Sequence, residues 1–358
     1  AIEASDRLLN DLEVGTDENP RRFEGFYPVA SGTQATPEYQ GATLLESTYL
    51  GLDAKFDSWF LLGGVRFEKE ERSFDVPGDA FGAFTSEVDD IFPSLNLGRT
   101  FGGDDEYLLE FSYSQSVVRP TFYEFIPARI IDLTNQSLVT GNRDLREARS
   151  ENFDLRISWE REGDFLGLNF FYKTIEDPIF TIVDPQLGGR ARTFANLGET
   201  EVKGVELEAS KELGSGFSVT GNLSYILAKP SPGKVPVGSQ EFDATIDSLE
   251  GQPELLANLI MSYEAEDLGL SANLIYNFTG EYLTLASLRT IDDASPGLPN
   301  EIRQPMHTLD FNLSKKWETD WAEMKVKFSV KNILNSDVEI AYEGGGGGIA
   351  PASSYSPG

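Results

Sequence analysis

The feature that most restricts this chain is a hydrophobic alternation of period two, sustained over segments of about ten residues. From Leu268 to Thr279, Leu268, Leu270, Ala272, Leu274, Tyr276 and Phe278 share one side, and Gly269, Ser271, Asn273, Ile275, Asn277 and Thr279 the other. Successive side chains of a strand point to opposite faces, so the segment reads as a strand with one apolar and one polar face. Phe217, Val219, Gly221, Leu223, Tyr225 and Leu227 likewise oppose Ser218, Thr220, Asn222 and Ser224, with Ile226 the lone exception. Phe153, Leu155, Ile157 and Trp159 oppose Asp154, Arg156 and Ser158. Leu309, Phe311 and Leu313 oppose Asp310, Asn312 and Ser314, and Met324, Val326, Phe328 and Val330 oppose Lys325, Lys327, Ser329 and Lys331. No helical stripe competes.

The connections constrain the fold as much as the strands. Short turn-forming pieces fall at 57–58, 102–105, 162–164, 212–215, 266–267 and 318–321. Long stretches rich in Pro, Gly and Asp fall between them, at 75–90, 119–150, 176–200, 229–252, 280–304 and 335–358. About twelve strands result, at 40–56, 59–74, 91–100, 106–118, 151–161, 165–175, 192–211, 216–228, 253–265, 268–279, 305–317 and 323–334. All short turns therefore lie at one end of the strands and all long loops at the other. A sandwich has no reason to segregate its loops, whereas a transmembrane antiparallel up-and-down β-barrel does, with tight periplasmic turns and long extracellular loops. The expected class is all-β. Several strands exceed the roughly 9–11 residues that cross a bilayer, and the surplus would project beyond it. Trp159, Tyr172, Tyr225, Tyr263 and Tyr276, on the apolar face near strand ends, are candidates for an interfacial aromatic belt, although aromatics also favour strands generally.

Composition removes other classes. The chain holds 29 Lys+Arg against 59 Asp+Glu, a net −30, with no Cys and one His. Neither a thiolate or imidazole zinc site nor a Cys nucleophile is available. Affinity for nucleic acid comes from Lys and Arg displacing counterions, so no nucleic-acid partner is expected. No stretch approaches 18 consecutive apolar residues, which rules out a transmembrane helix. A Ser-His-Asp triad would need His307, and Asp310, three positions on, falls on the opposite strand face. The doublets Asp89-Asp90 and Asp292-Asp293 lack calcium-loop spacing, and Gly344–Gly348 precedes no GK[ST]. Sequons occur at Asn135, Asn222, Asn277 and Asn312, three of them within strands, where glycosylation does not belong. No enzyme activity, metal or cofactor is expected.

A run of motifs carries a family resemblance. SQSVVRPTFYEFIP (114–127), VTGNRDLREARSENFDLRISWE (139–160) and NFFYKTIEDPIF (169–180) are similar to the barrel of TonB-dependent outer-membrane receptors. In that family a strand ending in an RP-type motif leads to a GN-P-L-P-E-type stretch and then to a strand ending FYK-I-DPI. NLGETEVKGVELEAS (196–210), GNLSYILAK (221–229), GQPELLANLIMSYE (251–264), LIYNFTGEY (274–282) and VKNILNSD (330–337) continue the resemblance over most of residues 40–343. Each motif alone is weak, but eight in order are a strong signal. Arg143 and Ala148 stand where the family usually has Pro.

The resemblance implies a bacterial outer-membrane receptor that takes up a nutrient, gated by a plug domain of the same full-length protein and energised by an inner-membrane TonB complex. Its barrel has about 22 strands, so about twelve make part of one. Residues 1–358 are accordingly expected to be a partial barrel domain. Residues 1–39 would be a loop or partial strand, 40–334 barrel strands and loops, and 335–358 an extracellular loop before a last strand not represented. Outer-membrane lipid, the plug and the TonB complex are the implied partners. For ligand binding, Arg119, Tyr123, Arg129, Asn142, Arg190 and Arg192 combine donors with an aromatic surface near extracellular strand ends. Their alternative role is loop packing and ion pairing. Acidic loops suit a neutral or cationic small molecule, a glycan or a peptide better than an anionic ferric siderophore. A passive porin or secretion barrel, and a soluble β-rich glycan-binding protein, remain alternatives.

Overall fold

The computed structural model describes residues 21–25, 39–75, 83–103, 106–126, 129–132, 137–183, 191–231, 234–237, 240–244, 246, 248–286, 288–290, 299–319, 321–343 and 350–355. Five strands come first: β1 (Arg21–Gly25), β2 (Tyr39–Phe56), β3 (Trp59–Asp75), β4 (Phe84–Phe101) and β5 (Tyr107–Val118). An excursion follows, with a four-residue helix α1 (Phe122–Phe125) and strands β6 (Arg129–Asp132) and β7 (Ser137–Thr140). The hairpin β8 (Ala148–Arg161) and β9 (Asp164–Glu176) leads to short β10 (Ile179–Val183) and β11 (Arg192–Asn196). Next come β12 (Thr200–Gly214) and β13 (Phe217–Pro230), then short β14 (Lys234–Val237) and β15 (Gln240–Ala244). After β16 (Leu255–Ala265) and β17 (Leu270–Thr279) lie three short strands, β18 (Tyr282–Leu285), β19 (Leu288–Thr290) and β20 (Asn300–Arg303). The hairpin β21 (Met306–Thr319) and β22 (Ala322–Val330) precedes β23 (Val338–Glu343) and β24 (Ala350–Tyr355).

One antiparallel sheet forms the wall, in the order β1-β2-β3-β4-β5-β8-β9-β12-β13-β16-β17-β21-β22. Among the described residues its edges are β1 and β22. The twelve strands after the short β1 occupy the expected places, with two shifts. The strand expected at 91–100 begins at Phe84, because β3 and β4 stay paired up to Phe74↔Phe84. Glu87, Asp89 and Asp90 give that extension the composition of a loop. The strand expected at 192–211 divides into β11 and β12, since the piece around Gly198 breaks the run and sends β11 into a different sheet. The hairpin ends are tight: Asp57, Glu162 and Ser215 take φ of +54°, +52° and +53°, left-handed positions that two-residue hairpin turns demand.

The period-two pattern becomes two distinct faces. On one, cross-strand registers link Leu97, Phe111, Leu155, Phe170, Val205, Tyr225 and Leu255 from strand to strand. The band continues through Leu274, Phe311 and Val330. Six of these ten side chains are exposed, Phe170 at 45%, and the other four are half-buried, as a lipid-facing surface requires. Aromatics rim the band. Phe101 stacks on Tyr107 at 5.4 Å and Phe217 meets Tyr263 at 4.5 Å near the short turns. Tyr172, Tyr225 and Tyr276 stand nearer the other end. From Phe217 to Tyr225 is about 26 Å along the strand at roughly 3.3 Å per residue, or about 20 Å of height at the roughly 40° tilt of barrel strands, most of an apolar membrane band about 25 Å tall.

The opposite face is polar and bonded across strands. Asn258 donates to Asn222 at 2.8 Å, Ser262 to Asn273 at 2.8 Å, Asn277 to Thr308 at 3.2 Å, and Ser329 to Asn312 at 2.6 Å. Three of the sequon asparagines are thus ladder partners within strands; Asn135 lies outside the described residues. His307 sits on the apolar face, 2.7 Å from the Tyr276 hydroxyl, while Asp310 accepts from the Asn332 amide at 2.7 Å on the polar side.

A wall one layer thick with its apolar face outward has little to bury. The buried apolar residues gather instead at the long-connection end. Phe180, Ile182, Ala195, Leu197, Val235, Ile246, Leu283 and Ala286 form one cluster. Phe74, Phe125, Ile126, Val139, Leu145 and Phe194 form a second. Three small sheets, β10-β11-β7-β6, β14-β15-β19 and β18-β20-β23-β24, carry most of the first cluster, and the second also takes Phe74 from β3 and Phe125 from α1. Residues 338–343 and 350–355, in the stretch expected to be loop, supply the last two strands of the third sheet.

Candidate functional site

At the long-connection end, β2, β3 and β4 run 18, 17 and 18 residues, well beyond what crosses a bilayer. The polar face of this extension meets both feet of the 119–147 excursion. Arg119, just past β5, places Nη1 2.8 Å from Glu68 and Nη2 2.6 Å from Asp90. Its Nε lies 3.3 Å from both Glu70 and Glu147 without hydrogen-bond alignment. The Asp90 carboxylate is fully buried and is also reached by Arg149 at 2.5 Å. Arg66 pairs with Glu68 at 2.6 Å, and Arg72 with Glu70 at 3.0 Å while donating to the Pro120 carbonyl at 2.8 Å. Four carboxylates thus meet four guanidiniums. Burial pushes the Glu147 carboxyl up and Asp90 adds to it, against the pull of Arg119 and Arg149. Burial works against the Arg119 charge, but the bonds to Glu68 and Asp90 outweigh it and hold the guanidinium above its ordinary value.

The excursion then turns into α1 through a reciprocal cap: Thr121 accepts from the Glu124 amide at 3.3 Å, and the Glu124 carboxylate accepts from the Thr121 amide at 2.7 Å. Tyr123 on α1 meets Phe194 edge-on, ring centres 5.6 Å apart. Asn142 donates to the Phe194 carbonyl at 2.8 Å and accepts from the Asp144 amide at 3.0 Å, an Asx turn. Its own amide donates to the Glu124 carbonyl at 2.7 Å. The preceding Gly141 is required by close approach, since a Cβ there would stand 2.2 Å from the Ile126 carbonyl oxygen. The GN pair of the motif therefore has a mechanical meaning: glycine lets the chain touch α1, and asparagine ties it to β11.

Arg192, two residues before Phe194 on β11, lies 3.8 Å from Glu301 on β20. Glu250 accepts from the Thr181 amide at 2.9 Å. Its carboxyl is pushed up by burial and by Glu124, against the Thr181 bonds and Arg192. Arg146 forks onto Asp177 at 2.8 and 2.5 Å, and Asn196 bonds the Arg146 backbone in both directions. A cleft of about 230 Å³ opens between Arg72, Phe84, Ser86, Arg143, Arg146 and Glu147. A second, of about 320 Å³, lies on the polar wall face beneath Leu249 and Gln252, between Asp154, Asn169, Lys173 and Glu206.

Of the residues singled out in the sequence, Tyr123 and Asn142 meet around Phe194, and Arg192 shares its strand. Arg119 stands two residues before the α1 cap with its charge engaged by the four carboxylates. Arg129 opens β6 opposite Thr140. Arg190 lies outside the described residues. Phe194, Asn196, Glu250 and Glu301 were not singled out, and the apolar run in RTFANLG, set among acidic loops, was the signal that could have found the first two. The arrangement offers donors, charge and an aromatic edge, the means of non-covalent recognition.

A family model described as TonB-dependent receptor-like, beta-barrel, matches residues 6–333. Among solved structures, the ferric-catecholate import receptor Fiu of E. coli K12 superposes with a TM-score of 0.60 at 16% identity, over 85% of this chain and 42% of that one. The ferric yersiniabactin uptake receptor FyuA of Yersinia pestis gives 0.58 at 19% identity, over 89% and 45%. The ferric enterobactin receptor PfeA of Pseudomonas aeruginosa gives 0.56 at 15%, over 90% and 53%. The chain thus spans about half the length of these structures, and at such identities they share its fold. No curated protein matches it in sequence.

Proposed function

Because this chain belongs to the TonB-dependent receptor β-barrel family, we propose that it forms part of the wall and outer surface of a ligand-gated importer in a bacterial outer membrane. The observation that carries the reading is the sheet's division of labour: an uncovered apolar band with aromatic rims on one face, an amide-rich polar face on the other, and all long connections at one end. The family and the similar structures are receptors and transporters, and the role assigned to this chain involves no covalent chemistry. In the full-length receptor the polar face would surround a plug domain. A nutrient bound outside would be drawn through with energy from an inner-membrane TonB complex. Residues 1–358 would then be one partial barrel domain of about 22 strands in the whole protein.

For the ligand contact we propose the surface about Tyr123, Asn142 and Arg192, with Arg129 and Arg190 on the same excursions and Arg119 holding the foot of the first. Taken together, the long connections carry an acidic excess, which supports a neutral or cationic ligand, whether small molecule, glycan or peptide. The siderophores named for the similar structures are those proteins' ligands.

The test uses the full-length receptor in its own outer membrane. Detergent extraction with the outer-membrane fraction, and uptake that stops when the proton-motive force is collapsed, are expected. Recovery as a soluble protein would refute the barrel reading, and uptake indifferent to the proton-motive force would leave a passive porin. A ferric catecholate binding the purified receptor more tightly than neutral oligosaccharides, amines or peptides would overturn the ligand class without touching the fold.

A further inference from the structure

We propose that the described parts of the long connections of this receptor are not separate flaps but one cooperative cap, keyed by strand β11, that opens as a coupled unit. The first ground is where the apolar residues meet. A single buried cluster draws Phe180 from β10, Ala195 from β11, Val235 from β14 and Leu283 from β18, so three excursions share one core. The second is the backbone: Ile182 and Ala286 form a parallel bridge between the β10 and β18 excursions, and the Val183 amide donates to the Ala286 carbonyl at 3.1 Å.

The third ground is β11 itself, which reaches every neighbour. It pairs along its length with β10, and Arg192 pairs in parallel with Val139 of β7. Its Phe194 carbonyl takes the Asn142 amide, its Arg192 faces Glu301, and its Asn196 binds the Arg146 backbone. Phe194 belongs to the second apolar cluster and Ala195 to the first, so alternate faces of one strand join the two cores. A segment cannot leave such an assembly without exposing buried apolar surface contributed by the others. Opening one excursion alone therefore strips packing from the others, and their openings are coupled.

The cap does not depend on the ligand or on transport, but its consequence rests on the receptor reading: a ligand touching any one excursion would move all of them. The test is hydrogen exchange, read by mass spectrometry, on the intact receptor carrying Leu283→Ala. Exchange at 179–183, 192–197 and 282–286 should accelerate together by more than about tenfold, a minimum for deleting a buried Leu side chain, while the wall segments 256–263 and 270–277 keep the parent rate. Acceleration confined to 282–286 would mean separate flaps and would overturn the proposal. Wall segments accelerating in step would overturn it as well, since the cap would then be no unit of its own. Ile182→Val provides the milder, reciprocal perturbation: it should speed exchange at 282–286, and no change there would count equally against a coupled unit.

Discussion

Replacing Arg119 by Ala tests whether the excursion bearing α1 is held by its foot. Removing one partner of a buried ion pair costs about 3–5 kcal/mol, because the other charge is left in low dielectric. Here the loss is partial. Glu68 keeps Arg66 at 2.6 Å, Glu70 keeps Arg72 at 3.0 Å and Asp90 keeps Arg149 at 2.5 Å. The Arg119 side chain is also 14% exposed, so water relieves part of the penalty. Taking about half the figure gives ~2 kcal/mol, or about 30-fold in the equilibrium for local opening. The reporters are the Phe125 and Ile126 amides, which bond the Thr121 and Phe122 carbonyls at 3.0 and 2.9 Å. Their hydrogen exchange should quicken about 30-fold while the wall strands are unaffected. Arg119→Lys keeps the charge but not the planar fork, and should fall between, near tenfold. Exchange within about threefold of the parent, ~0.6 kcal/mol, would show that the cluster is not what holds this excursion and would refute the reasoning.

Leu259→Arg on the apolar face should reduce membrane insertion by about 2–4 kcal/mol, whereas Asn258→Arg, its neighbour on the polar face, should insert nearly as the parent does; refolding into vesicles measures both, and equal effects would deny the face assignment. Glu250 has its folded-state pKa raised by burial, so its ionised form is penalised at neutral pH. Acidification should therefore strengthen protection of the nearby Val183 amide, which bonds the Ala286 carbonyl and not the carboxylate, beginning as pH falls through the folded-state pKa and complete below the ordinary carboxylate value. Glu250→Gln should abolish that dependence once intrinsic exchange rates are corrected for pH. Gly141→Ala, whose Cβ would meet the Ile126 carbonyl at 2.2 Å, should cost about 1–3 kcal/mol of local stability, read as exchange at residues 142–147.

The wall is legible in the residue pattern alone. Strand identity, the facing of each residue and the end at which the turns close are local properties: alternation follows from backbone pleating, and a tight turn from a few residues able to take φ above zero. Tyr276 and Asn277 could thus be assigned to opposite faces with no knowledge of their neighbours. The same local logic failed where charge disguised a strand, at 84–90, and where a turn around Gly198 interrupted one. Candidate site residues were legible by type but not by role. Arg119 read as a donor near a strand end, yet its partners Glu68 and Asp90 lie 51 and 29 residues away. Asn142 finds the Phe194 carbonyl 52 residues away. Contacts at such separations have no periodicity in the chain, since they depend on the register of whole hairpins and on how long excursions fold back. That most of the buried core gathers at the long-connection end follows from the folded arrangement alone, because the wall turns its apolar face outward and the excursions must bury theirs against one another.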